Sequence, residues 1–86
     1  MSQGGAILLF GKLKDVFGAD RIDLPEGAGT AGDMRRLLAE LHPDLAEVIS
    51  APSVRIAVNQ ELIVDEDAAL LNTGDEIALL PPLSGG

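Results

Sequence analysis

Eighty-six residues make one small domain, because a chain this short buries only a little over ~60% of its unfolded surface and cannot hold a second core or a cofactor cleft of its own. Hydrophobic residues make up 47% of it, but Phe10 and Phe17 are the only aromatics, so the core must be aliphatic and no platform exists for stacking bases or sugars. Six basic against 14 acidic residues leave a net charge of −8, which excludes a phosphate-backbone binder, and the lack of cysteine excludes disulfides, thiolate metal sites and a Cys nucleophile.

In chain order, Met1 to Gly5 carries no basic run and is expected to be a flexible lead. The apolar run from Ala6 to Phe10 is too short for a signal or a membrane helix. It suits a strand buried on both faces, and the protein reads as cytoplasmic and soluble. A polar stretch then leads to a turn at Gly18-Ala19-Asp20. The alternation Arg21-Ile22-Asp23-Leu24, stopped by Pro25, predicts a second strand folded back on the first. Thr30 with Asp33 three residues on forms a shortened capping box, so a helix should start there. Met34, Leu37, Leu38 and Leu41 give it one apolar stripe, with Arg35, Arg36 and Glu40 opposite. His42-Pro43 ends it, and Leu45, Val48 and Ile49 mark a further helical turn opened by Pro43.

Val54, Ile56 and Val58 alternate with Arg55 and Ala57 as a half-buried strand, which Asn59-Gln60-Glu61 reverses into Leu62-Ile63-Val64. Asn72-Thr73-Gly74-Asp75 is a turn into the last strand, Ile77 to Leu80, which Pro81-Pro82 ends. Strands on either side of one helix, joined by short connections, predict an α+β domain with one mixed sheet and a helix across one face. The domain should span residues 6–80, with residues 81–86 as a tail.

Most chemical constellations fail. His42 is the only histidine and reads as an exposed residue at a helix end. Gly27, Gly29 and Gly32 lack the Lys-Ser/Thr of a phosphate loop. Asp65-Glu66-Asp67 lacks the ligand spacing of a calcium loop, so no metal site is expected. From Glu61 to Glu76 six acidic residues stand without a cation in their own segment, either as a solvated face or as a docking face for a basic partner. Asp75 and Glu76 are the docking candidates.

What remains is Pro81-Pro82-Leu83-Ser84-Gly85-Gly86. Two prolines favour an extended run, and the residues after them are small enough for a narrow channel. The α-carboxylate of Gly86 is inert as an anion. Adenylated, it becomes a mixed anhydride open to sulfur nucleophiles, with no side chain obstructing the carbonyl.

Leu8 to Lys14, Ile56-Ala57-Val58-Asn59-Gln60 and above all Gly74 to Gly86 resemble the small subunit of molybdopterin synthase. Sulfur carriers of the thiamin pathway share the Gly-Asp-Glu turn and the terminal Gly-Gly, but usually lack the paired proline. The resemblance implies a ubiquitin-like β-grasp fold whose last strand lies inside the sheet and whose tail is extended. It implies that an ATP- and Mg-dependent adenylating enzyme activates Gly86 and that a sulfurtransferase supplies sulfur. The resulting thiocarboxylate would then serve the large synthase subunit, in a heterotetramer, to convert cyclic pyranopterin monophosphate. The catalytic side chains would be the large subunit's. This chain would bring Gly86, with Phe10, Pro81, Pro82, Leu83, Ser84 and Gly85 in the contact and no cofactor bound permanently. Carriers for thiamin or cysteine synthesis, and ubiquitin-like modifiers, share fold and terminus and are the alternatives.

Overall fold

The computed structural model describes residues 5–82. Five strands form one sheet: β1 (Ala6–Leu9), β2 (Arg21–Asp23), β3 (Arg55–Val58), β4 (Glu61–Leu62) and β5 (Ile77–Leu80), in the spatial order β2-β1-β5-β3-β4. The β1–β5 pairing is parallel and the others are antiparallel. The mixed sheet is therefore as expected, with the last strand at its centre. Among the described residues three helices accompany the sheet, α1 (Lys12–Phe17), α2 (Ala31–Leu41) and α3 (Ala46–Ser50), with short 3-10 turns at Pro43–Leu45 and Glu66–Ala68.

Thr30 caps α2 as its spacing predicts. Its hydroxyl accepts from the Asp33 N–H at 3.1 Å, and the Asp33 carboxylate accepts from the Thr30 N–H at 3.2 Å. Ala31, Met34 and Leu38 of α2 pack with Leu13 and Ile49 over Ile7, Leu9, Ile56, Ile77 and Leu79 of the sheet. One aliphatic core results, on one face of the sheet.

Several expectations change. The polar stretch after β1 is a helix, α1, which buries Leu13 and closes on Gly18; six residues are too few to show a period. Leu41 does not complete the apolar stripe but is 62% exposed, because the last turn of α2 overhangs the edge strand β2. His42 is half-buried rather than exposed, its ring edge-to-face with Phe17 at 5.3 Å between centroids. The strand expected over Leu62-Ile63-Val64 is β4, Glu61–Leu62, and Val64 is exposed. The reversal into β4 turns on Asn59 and Gln60, both at positive φ.

Arg35 departs furthest from the sequence reading. Instead of facing solvent it is 13% exposed, and its guanidinium meets the Glu66 carboxylate twice, at 2.9 and 2.6 Å. It also donates to the carbonyls of Ile49 (2.7 Å), Ala51 (3.1 Å) and Val54 (2.7 Å). Arg36 reaches Asp67 at 3.5 Å. Glu66 and Asp67 of the acidic run thus find their cations on α2.

Candidate functional site

Because β1 and β5 run parallel, both deliver their C-terminal ends to the same edge of the sheet. Phe10-Gly11 leaves β1 there, beside Pro81-Pro82 leaving β5. The two segments touch closely: a Cβ on Gly11 would lie 2.9 Å from the Pro81 ring, and Gly11 has a φ of +56°. Glycine alone makes that approach at that backbone angle without strain.

The face of the sheet turned away from the helices is apolar too, where an exposed antiparallel face would ordinarily be polar. Register lines up Leu8, Ala78, Ala57 and Leu62 across it, so two alanines form a floor between larger side chains. Phe10 (44% exposed), Leu62 (51%) and Leu80 rise around that floor, with Gln60 and Glu76 at its rim. Towards the chain exit the face opens into a groove of about 770 Å³ bounded by Phe10, Gly11, Pro52, Ser53, Arg55, Leu62, Leu80, Pro81 and Pro82. The apolar surface is contiguous and reaches Pro81-Pro82, and surfaces of this kind are typical of protein interaction sites. The sequence reading found Phe10, Pro81 and Pro82 but missed Leu62, Leu80 and Arg55. The signal for Leu80 was that the run Ile77 to Leu80 is apolar on both of its faces.

The acidic candidates lie at the other end of β5. The Asp75 carboxylate accepts from the Asn72 N–H at 2.7 Å and from the Asn59 side chain at 3.0 Å. The first contact and then the second hold it below the usual carboxylate range. Asp75 is therefore a turn residue as well as a surface charge, while Glu76 stands at the rim of the apolar face. His42 lies away from the groove, beside Leu38 and Leu41. Among the described residues no group of three His, Cys, Asp or Glu side chains could hold a metal ion, and no helix is long and apolar enough to cross a membrane. Leu83, Ser84, Gly85 and Gly86, named as site residues from the sequence, lie outside the described residues, as do Met1 to Gly4.

Comparison with known proteins agrees with this geometry. The model of the ThiS family matches residues 7–86. The molybdopterin synthase sulfur carrier subunit of Dictyostelium discoideum is 40% identical over 88 residues, covering all of both chains. Among solved structures, the small archaeal modifier protein 1 of Methanosarcina acetivorans superposes with a TM-score of 0.76 at 27% identity, covering 94% of each chain. A protein–protein complex of subunits 1 and 2 of the molybdopterin-converting factor of Helicobacter pylori includes a chain that superposes with a TM-score of 0.61 at 27% identity, covering 94% of this chain and 96% of that one.

Proposed function

The chain belongs to the ThiS family, and from that premise we propose that it is the sulfur carrier subunit of a molybdopterin synthase, a ubiquitin-like protein that donates sulfur from its C-terminus. The observation that carries the reading is the placement of β5. A central strand, hydrogen-bonded on both sides, runs straight into Pro81-Pro82 beside an uncovered apolar face. A rigid strand aims the segment that follows it, and the face beside it gives a partner somewhere to hold.

In this cycle an adenylating enzyme binds ATP and Mg and converts the Gly86 carboxylate to an acyl adenylate. The outer sulfur of a persulfide on a sulfurtransferase attacks the carbonyl; a C–S bond forms and AMP leaves as the C–O bond breaks, and a second thiol then cleaves the S–S bond of the acyl disulfide, which leaves the thiocarboxylate on Gly86 and a disulfide behind. The thiocarboxylate then gives its sulfur to cyclic pyranopterin monophosphate within the large synthase subunit, which covers the apolar face in a heterotetramer. Pro81 to Gly85 thread the terminus towards the reacting centre, and Phe10 anchors the contact. This chain supplies position and one acyl carbon; the large subunit supplies acids and bases. Such a cycle draws on ATP and is placed in the cytoplasm.

The test is an intact mass of the protein purified from its own host, together with transfer by a chain lacking Gly86. A mass heavier by the difference between sulfur and oxygen, with transfer lost and melting unchanged in the truncated chain, is the expected result. Full transfer without Gly86 would end the reading. The likeness to the archaeal modifier favours a second reading, in which the same terminus is joined to lysines of other proteins. A host extract in which the chain appears as higher-mass lysine conjugates would favour that one.

A further inference from the structure

Of the four arginines, Arg21 lies exposed on the edge strand β2, and the other three differ sharply in how their charge is met. Arg35 is engaged by a carboxylate and three carbonyls, and Arg36 by Asp33 and Asp67. Arg55 donates to a single carbonyl, that of Ile63, at 3.5 Å, the outer limit of a hydrogen bond. Among the described residues no carboxylate makes an ion pair with it. It sits opposite Leu80 in register, on the outer face, in the wall of the apolar groove beside Phe10, Leu62, Pro81 and Pro82.

We infer that Arg55 is a specificity-determining partner contact, whose guanidinium takes up a carboxylate that the docked large subunit brings into the otherwise apolar groove. The inference rests on the function proposed above. A protein that covers this face removes water from Arg55. A guanidinium stripped of water with its donors unmet is costly, and a backbone carbonyl at the limit of reach does not replace the lost shell. A carboxylate does, because its two oxygens fit the planar fork in parallel. Arginine is also enriched in the cores of protein interfaces, where a few anchors carry most of the affinity.

The sign of the charge makes the contact selective. The chain carries −8 and attracts basic surfaces at long range. A merely basic partner that reached the groove would set its own cation against Arg55, so the matching surface is basic around one centrally placed Asp or Glu.

The experiment is a titration of wild type, Arg55→Met and Arg55→Lys against the purified large subunit encoded by the same organism, with thermal melts on each variant. Methionine keeps an apolar stem and removes the charge. Long-range electrostatics alone predicts that R55M, one unit more negative, binds a basic partner more tightly. The inference predicts the opposite: a loss on the order of tenfold or more, partly restored in R55K by a point charge without the fork. An alanine scan of the partner's contact surface should then find one Asp or Glu whose removal weakens wild type but costs nothing further against R55M. Binding by R55M as tight as wild type, or tighter, overturns the inference. Wild type that fails to bind the large subunit at all overturns the proposed function, and the inference with it.

Discussion

At the scale of single residues, Arg35 ties together three parts of the chain: helix α2, the segment from Ile49 to Val54, and the 3-10 turn at Glu66. Removing it leaves a carboxylate and three carbonyls short of a donor. Arg35→Met should therefore cost about 2–4 kcal/mol, at the lower end for such a pair because Glu66 keeps some contact with water. Arg36→Met, whose ion pairs lie in solvent, should leave the urea midpoint nearly unchanged. Equal midpoint shifts would refute this assignment. Two carboxyls contribute to the acid limit. Asp33 is held low chiefly by the Arg36 guanidinium, and Asp75 by the Asn72 N–H. A depressed carboxyl contributes stability above the unfolded value of 3.8 and loses it as pH falls through the folded value. Melting temperature should thus drop below about pH 4. Asp75→Asn, which removes the titration together with one of the two acceptors, should lower the melting temperature at neutral pH and flatten that drop. The Thr30–Asp33 cap was legible in the sequence because its partners lie three residues apart. Arg35 was not, since its partners lie 14 to 31 residues away and an arginine opposite an apolar stripe ordinarily faces water.

At the scale of elements, the β3–β4 reversal explains why Val58-Asn59-Gln60 belongs to the signature segment. The Asn59 side chain accepts from the Glu76 N–H and donates to Asp75, both at 3.0 Å, so this turn is fastened to the start of β5. Asn59 and Gln60 have φ of 53° and 70°. Asparagine tolerates that region; glutamine gains nothing from it. Gln60→Gly should raise stability by about 0.5–1 kcal/mol, the relief of strain exceeding the added freedom of the unfolded chain. A lower melting temperature would show that the Gln60 side chain contributes a contact of its own. Turns and caps of this kind could be read from residue types. Helix α1 could not, and β4 was found with its ends displaced, because packing against a sheet formed by distant strands, rather than their own periodicity, defines them.

At the scale of the whole molecule, the sequence suggested an uncompensated acidic third, and the fold returns two of its acids to α2. Glu76 remains at the rim of the apolar face. Glu76→Lys should slow association with a basic partner and weaken its dependence on salt, with little change in melting, whereas reversal of Asp75 should disturb the turn as well. Stopped-flow association at two ionic strengths distinguishes the two; an unchanged rate for Glu76→Lys would make it a solvated charge only. The candidate site was half legible. Its proline-bearing exit is local in sequence and was seen, whereas Leu62, Leu80 and Arg55 join it through strand pairings that only the folded topology reveals.

The parallel pairing of β1 with β5 joins Ile7-Leu8-Leu9 to Ile77-Ala78-Leu79 across almost the full length of the chain. During synthesis, then, the first strand leaves the ribosome long before its central neighbour exists, and Ile7 and Leu9 must wait with one edge unpaired. The sheet closes only when translation has passed Leu80, so a prematurely terminated product stays unfolded and open to proteases or holding chaperones. Folding itself thereby gives the outer face of the sheet only to chains that have been translated past their last strand.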